Sequence, residues 1–307
     1  MNQLVVIVGP TAIGKSRLAV RLAQAFDGEI VSADSRQVYC HMDIGTAKPS
    51  PEELTLAPHH LINIINPNED FSLAQYQKLA YNTIADIQQR GKLPLLIGGS
   101  GMYVWSVLEG WGIPQVPPDK QLRHNLEKEA AEVGGEGLYR ELVRIDPVAT
   151  QQIDPRNVRR VIRALEVYRE TGIPFSQLQR KEAPPFSKFI VGLTADREEL
   201  YRRIDLRVDE MIMQGLVEEV ERLADMGYDF DLPAMSAIGY KEVGMFLRGA
   251  LNLDTAIQQI KFETHRLARH QYNWFRLKDG RIRWLNIQKR ADGQVLEALF
   301  RFITGQS

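Results

Sequence analysis

Apolar residues occur along the chain in short unbroken runs that alternate with stretches of helical spacing. The first run, residues 4–8, is mostly β-branched, as is typical of a parallel strand buried on both faces. Helical spacing follows at Leu18, Leu22 and Ala25. Residues 29–33, 93–97 and 189–193 also read as short strands, although Glu29 and Ser32 interrupt the apolar residues of the first of these segments. This pattern predicts an α/β fold in which a parallel sheet is flanked by helices.

The turn after the first strand carries a phosphate-binding motif. It reads G-x-x-x-x-G-K-S and consists of Gly9, Pro10, Thr11, Ala12, Ile13, Gly14, Lys15 and Ser16. A strand before it and a helix after it are the context that the motif requires. In such a loop the backbone amides and the lysine bind phosphate oxygens, and the serine hydroxyl holds Mg²⁺. We therefore predict a P-loop NTPase-like core that binds a diphosphate or longer polyphosphate.

Two more polar segments lie where predicted strands end. The second strand leads into Asp34, Ser35, Arg36 and Gln37, and the third leads into a glycine-rich turn that contains Ser100. The carboxyl ends of parallel strands meet at one edge of a sheet, where ligands bind. Asp34 is equally well interpreted as a general base or metal ligand and as an ordinary Asx turn or helix cap. Where an ATPase commonly has an acidic Mg²⁺ ligand, the third strand ends in glycine, which weakens an ATP-hydrolysis interpretation.

Composition narrows the range of partners and compartments. The chain has 307 residues, 44% of them apolar, so it can bury a full core in one large or two unequal domains. A net charge of −1 means that any surface for nucleic acid must be local. The single cysteine, Cys40, excludes an internal disulfide and a cysteine-based zinc site. No apolar run is long enough for a membrane span and the first strand begins at the N-terminus, so we expect a cytoplasmic protein.

The character of the chain changes after residue 113. A proline-rich segment precedes a helical, charge-rich stretch, so we interpret 114–188 as an inserted helical subdomain and 1–113 with 189–307 as the core. One insert helix carries an apolar stripe formed by Val158, Val161, Ile162, Leu165 and Tyr168. Its opposite side carries Arg159, Arg160 and Arg163. These arginines either bind phosphates of a nucleic acid or form a solvated face paired with Glu166 and Glu170.

Basic residues also mark the C-terminal part of the chain. Arg203 and Arg207 share a helix face, which suits a leaving diphosphate or pairing with nearby acids. A long helix predicted over 257–277 places basic residues on one flank, namely His265, Arg266, Arg269 and Arg276. Residues 42–49, punctuated by glycine and proline, predict a mobile loop over the site. Basic stripes around a phosphate-loop core indicate a large polyanionic second substrate, with the loop holding either ATP or a diphosphate leaving group.

Several motifs, taken in order, resemble one protein family. The phosphate loop is followed by residues 34–39, 42–49, 98–103, 160–166, 238–240 and 274–276. These segments resemble those of the bacterial tRNA dimethylallyltransferases, also called tRNA isopentenyltransferases, nearly from end to end. The resemblance implies transfer of a dimethylallyl group from dimethylallyl diphosphate to N6 of adenosine 37 in tRNA, with release of diphosphate. It also implies Mg²⁺, with Ser16 as its ligand.

The resemblance implies roles for individual residues. Asp34 would act on the exocyclic amine, while Lys15, Arg207 and the Ser100 hydroxyl would stabilise charge on the diphosphate. The implied tRNA contacts are Asp34, Ser35, Arg36, Gln37, Ser100, Arg123, Arg159, Arg160, Arg163, Ser236, Gly239, Tyr240, Lys241, Arg269 and Arg276. Ser100 and His270 stand where the family usually has threonine and arginine. The expected protein is a monomer that binds the anticodon stem-loop of tRNA and no membrane.

Three other functions compete with this one. An adenylate isopentenyltransferase would prenylate free nucleotides, and a P-loop kinase would phosphorylate a small molecule. The helical insert and its arginines favour tRNA over both. A non-catalytic tRNA-binding protein is disfavoured because Gly14, Lys15, Ser16 and Asp34 are all present.

Overall fold

The computed structural model describes residues 2–288 and 293–305 of the chain, which forms two compact units. The core unit consists of Met1–Leu108 and Pro185–Ser307, and the helical unit consists of Glu109–Pro184. The helical unit begins and ends a few residues earlier than the 114–188 expected from the sequence. The reason is local pairing, since Trp111 forms an antiparallel bridge with Lys181 and the Gly112 amide donates to the Arg180 carbonyl.

The core unit contains a parallel sheet. Among the described residues its strands are β1 (Gln3–Val8), β2 (Gly28–Ser32), β3 (His59–His60), β4 (Leu93–Gly98), β5 (Ser187–Thr194) and β6 (Ile282–Asn286). The strand order is β3-β2-β4-β1-β5-β6, and every neighbouring pair is parallel. Residues 4–8 of the central strand β1 are completely buried, which explains their unbroken apolar run.

The core unit also contains helices that pack on the sheet or on one another. They are α1 (Lys15–Ala25), α2 (Pro51–Leu56), α3 (Leu73–Gln89), α4 (Gly101–Leu108), α10 (Arg197–Met213), α11 (Leu216–Asp225), α12 (Tyr240–Leu247), α13 (Leu253–Trp274) and α14 (Gly293–Thr304). Because β1 lies between β4 and β5, the turn after β1 is flanked by the turns after those strands. This order brings segments distant in sequence to one edge of the sheet.

The helical unit has its own small apolar core. Its helices are α5 (Lys120–Val133), α6 (Gly135–Ile145), α7 (Pro147–Thr150), α8 (Val158–Thr171) and α9 (Phe175–Leu178). Leu126, Leu138, Leu142, Val161 and Leu165 are completely buried in one cluster. The apolar stripe predicted for the insert therefore packs inward from α8, and burial of this stripe stabilises the helix. Within the described residues, no helix has the length and apolar character of a membrane span.

Candidate active site

The turn after β1 has the backbone that a phosphate loop requires. Gly9 has a φ of +140°, and a Cβ at this position would lie 2.5 Å from the Leu193 carbonyl oxygen of β5, so only glycine fits. Gly14, with a φ of 99°, is the N-cap of α1. Lys15 is therefore the first residue of the helix, where the positive end of the helix dipole attracts anions.

Positive charge is concentrated beside this loop. The Lys15 ammonium donates a hydrogen bond to the Pro10 carbonyl at 2.7 Å. Burial, and secondly the nearby Arg207 guanidinium, lower the pKa of Lys15 to about 7, although the Asp34 carboxylate acts in the opposite direction. Burial also lowers the pKa of Arg207. Burial thus makes it costly to keep Lys15 and Arg207 charged unless an anion lies beside them. This suits a site that binds a polyanion.

Arg207 reaches the phosphate loop from α10. Its Nη1 donates to Thr11 Oγ1 at 3.3 Å. By contrast Arg203, one helical turn earlier, pairs with Glu199 at 2.7 Å on the same helix. The sequence placed both arginines on one face, and only Arg207 has a contact with the loop among the hydrogen bonds of the described residues.

Asp34 and Ser100 meet at the ends of β2 and β4. The Asp34 Oδ1 accepts a hydrogen bond from the Arg36 amide at 2.9 Å, which is the Asx turn that the sequence left as one alternative. The Ser100 hydroxyl accepts from the Ser35 amide at 3.0 Å and lies 3.2 Å from the Ser35 hydroxyl. Ser100 thus holds the segment that carries Asp34. The second Asp34 oxygen is outside this turn, so the Asx turn and a chemical role are compatible.

The glycine at the end of β4 has a steric cause. A Cβ on Gly98 would lie 2.1 Å from the Ala33 carbonyl oxygen. No side chain fits there, so an acidic Mg²⁺ ligand of the ATPase type has no place at this strand end.

One cavity of about 510 Å³ joins these groups within the core unit. Thr11, Asp34, Ser100 and Arg207 all line it. Its wall also has apolar parts, which include Ile204, Val208, Met211 and Ile260. One small molecule bound in the cavity could therefore contact a cationic end, a carboxylate and an apolar surface at the same time.

Hydrogen bonds with two side chains hold the loop of residues 42–49, which the sequence predicts to be mobile. The buried Glu219 carboxylate accepts hydrogen bonds from the amides of Asp43, Ile44 and Gly45 at distances from 2.9 to 3.3 Å. The Gln37 Nε2 donates to the carbonyls of Thr46 and Ala47. Gly45, Thr46 and Ala47 line the cavity. The loop is therefore a wall of the site that these hydrogen bonds hold in place, and its mobility stays a prediction.

The predicted tRNA contacts of the core unit fall into two groups. Several line the cavity, namely Asp34, Ser35, Arg36, Ser100, Ser236 and Gly239. Arg36 also donates to the Pro233 carbonyl at 2.9 Å. Lys241 is exposed, and Arg269, also exposed, donates to the Tyr201 hydroxyl at 3.0 Å.

Two positions in the core unit differ from expectation. Tyr240 is completely buried and its hydroxyl donates to Glu219, so its side chain is a packing residue beneath the loop. The long helix ends at Trp274, because Phe275 leaves helical geometry with a ψ of 80° and is itself buried. Arg276 is exposed beyond the helix end, and it does not continue the flank of His265 and Arg269 as predicted.

In the helical unit, two predicted tRNA contacts have structural partners. Glu166 is completely buried and pairs with Arg123 at 2.7 Å and with Arg163 at 2.5 Å. Arg163 also donates to the Val116 carbonyl at 2.9 Å. Arg159 and Arg160 are exposed on the first turn of α8. The pairing that was the simpler alternative for this helix thus applies to Arg163, and the exposed arginines are 159 and 160.

Replacing Glu166 by glutamine is expected to destabilise the protein by about 2–4 kcal/mol, because one neutral amide cannot compensate two guanidinium groups. Partial exposure of both arginines keeps this below the cost of a fully buried charge. Chemical denaturation of Glu166→Gln measures the effect. Glu170→Gln, at an exposed position of the same helix, is the control and is expected to change stability by less than about 0.5 kcal/mol. Equal midpoints for the two variants would contradict the structural role of Glu166.

Two residues of the site have no signal in the sequence. Glu219 holds the loop wall, as described above. Gln271, on α13, accepts a hydrogen bond from the Thr11 amide at 2.8 Å and lines the cavity. A single buried glutamate or glutamine within a helix matches no motif, and its partners lie more than 150 residues away in sequence.

Comparisons with known proteins give one family. The IPP transferase family matches residues 37–278, and the isopentenyl transferase family matches residues 2–64. The chain is 53% identical to a tRNA dimethylallyltransferase of Roseiflexus sp. (strain RS-1), over 90% of each chain. It is 47% identical to one from Dehalococcoides mccartyi, covering 98% of this chain and 92% of the relative.

Solved structures with the same fold agree with these sequence matches. The crystal structure of the tRNA isopentenylpyrophosphate transferase of Bacillus halodurans is 41% identical, with a TM-score of 0.72, and covers 100% of this chain and 97% of its own. A eukaryotic dimethylallyltransferase acting on tRNA is 27% identical, with a TM-score of 0.85, and covers 100% of this chain and 81% of its own. A parallel sheet with a phosphate loop and Asp34 at one edge, together with matches along nearly the whole chain, leads to one conclusion. The chain belongs to the tRNA dimethylallyltransferase family of prenyl transferases.

Proposed function

We propose that this protein transfers the dimethylallyl group of dimethylallyl diphosphate to N6 of adenosine 37 in tRNA and releases diphosphate. The observation that carries the proposal is that Thr11 and Arg207, at one end, and Asp34 line the same cavity. A kinase would need an acid to hold its metal, and the close approach of Ala33 to Gly98 argues against one at the end of β4.

The cationic end of the cavity suits the diphosphate of the donor. Thr11 and Arg207 line this end, Lys15 at the N-terminus of α1 lies close enough to Arg207 and Asp34 to interact with their charges, and the apolar wall suits the hydrocarbon chain. Negative charge grows on the diphosphate as the bond between its oxygen and the allylic carbon breaks. The cations therefore stabilise the transition state more than the ground state, and this difference accelerates the reaction.

The carboxylate end suits the acceptor. The N6 nitrogen of adenine forms the new bond to the allylic carbon, and the electron pair of the broken bond leaves with the diphosphate. Asp34 accepts the proton that N6 loses, acting as general base. The Ser100 hydroxyl contributes by fixing the Ser35 segment, and so the direction of Asp34. The adenine must leave its stack in the tRNA before its N6 can reach Asp34 and the donor, so the base is expected to be flipped out into the cavity.

Ser16 is the group of this chain that would hold Mg²⁺. It is exposed in the first turn of α1, and the described residues contain no cluster of three histidine, cysteine or acidic side chains that forms a metal site by itself. A single protein hydroxyl fits an Mg²⁺ ion whose other ligands are phosphate oxygens and water. When bound, the ion would neutralise charge on the departing diphosphate.

The proposal is tested by offering several acceptors to the enzyme. Purified protein is incubated with Mg²⁺ and dimethylallyl diphosphate labelled in the allyl group, together with unmodified tRNA, AMP or ATP. Label is expected on tRNA alone, at adenosine 37 after nuclease digestion. Label on AMP without label on tRNA, or consumption of ATP without prenyl transfer, would contradict the proposal.

We also propose that the exposed arginines of α8 bind tRNA phosphates. The double variant Arg159→Ala, Arg160→Ala is expected to weaken tRNA binding and to reduce the slope of log affinity against log salt by roughly 1 to 2, because each lost phosphate contact removes a fraction of a released counterion. Binding is measured at several salt concentrations. Arg169→Ala on the same helix, where the arginine pairs with Glu141, is the control and keeps the slope of the unmodified protein. An unchanged slope in the double variant would mean that neither arginine contacts tRNA phosphates and that both belong to the ordinary solvated surface.

A further inference from the structure

Gln271 bridges two turns of the candidate site. Its Oε1 accepts a hydrogen bond from the Thr11 amide at 2.8 Å, and its Nε2 donates to the Gly99 carbonyl at 3.2 Å. The side chain is 8% exposed and lines the cavity. The carbonyl oxygen of the Gln271 side chain thus accepts from a backbone amide, and its NH₂ group donates to a backbone carbonyl. At neutral pH a glutamine provides both, whereas a glutamate of the same length cannot donate.

The two turns that Gln271 joins carry opposite ends of the proposed reaction. Thr11 belongs to the phosphate loop and also receives the Arg207 guanidinium. Gly99 immediately precedes Ser100, whose hydroxyl holds the Ser35 amide beside Asp34. Gln271 thus connects the turn proposed to bind the leaving diphosphate with the turn that holds the Asp34 segment.

The fit of Gln271 against the second turn is close. A Cβ on Gly99 would lie 2.1 Å from Gln271 Nε2, so residue 99 must be glycine if the glutamine is to occupy its place. This accounts for the second glycine of the Gly98-Gly99 pair, as the contact with Ala33 accounts for the first. Both glycines are thus explained by close approach, one of backbone and one of a side chain.

We propose that Gln271 is a positioning residue that holds the phosphate loop and the Gly99 turn at the spacing required for prenyl transfer. The inference rests on the proposed function, because the spacing matters only if donor and acceptor share the cavity. Gln271 acts through Thr11 and Gly99, and it takes no proton and forms no bond to substrate. Loss of its two hydrogen bonds lets the two turns separate, so that the allylic carbon and the amine meet less often in reactive geometry.

The experiment compares three variants with the unmodified protein. Gln271→Leu removes both hydrogen bonds, and Gln271→Glu keeps an acceptor for the Thr11 amide but adds negative charge beside the diphosphate. Gln77→Leu is the matched control, since Gln77 is also 8% exposed and its Nε2 donates to the Ser106 carbonyl at 2.8 Å, within the same unit. Thermal unfolding, kcat, the KM for dimethylallyl diphosphate and the Kd for an anticodon stem-loop are measured for each.

Gln271→Leu is expected to lower kcat by about 10- to 100-fold while the Kd for the stem-loop stays within about twofold of the unmodified value. Gln271→Glu is expected to add an increase in the donor KM, because its charge repels the diphosphate. Gln77→Leu is expected to lower the unfolding temperature by as much as Gln271→Leu but to keep kcat and both substrate affinities. This split separates positioning from a contribution to stability alone.

Two results would overturn the inference. One is a kcat for Gln271→Leu equal to that of Gln77→Leu, and the other is a loss of stem-loop affinity at unchanged kcat. Both presuppose that the unmodified protein labels tRNA. If the unmodified protein fails to label tRNA, the proposed function itself is wrong, and that failure is visible before any variant is compared.

Discussion

Asp34→Asn is expected to lower the rate of prenyl transfer by about 10²- to 10⁴-fold, the usual contribution of a general base. The substitution is conservative in shape. An asparagine oxygen accepts the Arg36 amide hydrogen bond as the carboxylate does, so the Asx turn at the end of β2 persists. What is lost is the basic oxygen that receives the N6 proton. Single-turnover transfer from labelled dimethylallyl diphosphate to tRNA measures this loss.

Binding measurements on the same variant separate chemistry from assembly of the complex. Burial lowers the pKa of both Lys15 and Arg207, and the Asp34 carboxylate partly offsets this effect by partly neutralising the cationic end of the cavity. Removing its charge leaves a more positive site, and diphosphate is expected to bind as tightly as before or more tightly. The tRNA affinity is expected to be largely retained. Asp27→Asn, at an exposed carboxylate that pairs with Lys92, is the control with normal transfer. Full turnover in Asp34→Asn would remove Asp34 from the base role.

Lys15→Met is expected to weaken productive donor binding and to lower kcat/KM by about 10²- to 10³-fold, as for loss of a preorganised charge that stabilises a transition state. Methionine fills a similar volume without charge. Because the Lys15 ammonium lies at the first residue of α1 and beside Arg207, no other group of the loop replaces it at the same point. Titration with magnesium diphosphate and the transfer assay measure the two losses.

Lys15→Met is expected to lower activity without lowering the stability of the fold. The pKa of Lys15 is lowered from 10.5 to about 7 in the folded protein, so burial penalises its charged form. This penalty is greatest below pH 7, where the folded and unfolded states both carry the charge, and disappears above pH 10.5, where both are neutral. At neutral pH, Lys15→Met is therefore expected to keep or raise the unfolding temperature while activity is lost. A marked fall in the unfolding temperature would mean that Lys15 serves the fold instead of the donor. Lys92→Met, at a partly exposed lysine paired with Asp27, is the control with normal transfer.

The parts of the fold that follow from local chemistry could be predicted from the sequence. The strands at residues 4–8, 93–97 and 189–193 are mainly apolar because the sheet buries them, and the strand at 29–33 buries Glu29 and Ser32 beside its apolar residues. The carboxyl ends of these strands meet at one edge because the strands are parallel. The family assignment, the enzyme class and the fold class predicted from the motifs are confirmed by the comparisons. The edge strands β3 and β6 were not predicted, since one has only two residues and the other mixes Arg283 with apolar neighbours.

Side-chain partners explain where the prediction of the site was incomplete. Helical periodicity places Arg163 on a polar face, but it cannot reveal that the buried Glu166 binds Arg163 and Arg123 together. Periodicity also extends α13 to residue 277, whereas the backbone leaves helical geometry at Phe275, before Arg276. Contacts such as those of Gln271 and Glu219 depend on which distant loops the topology brings together. The roles of the tRNA-binding residues, Mg²⁺ and the monomeric, cytoplasmic state stay predictions.

In the proposed reaction, one cavity receives the donor diphosphate at the phosphate loop and the attacking amine at Asp34. The most direct test of this arrangement is a crystal structure with Mg²⁺, an anticodon stem-loop and an unreactive thiolodiphosphate analogue of dimethylallyl diphosphate. We expect the diphosphate to contact the amides of residues 9–16, Lys15 and Arg207, and the N6 nitrogen of adenosine 37 to lie within hydrogen-bonding distance of the Asp34 carboxylate. A diphosphate bound away from this loop, or an adenine N6 directed away from Asp34, would show that donor and acceptor do not meet in this cavity.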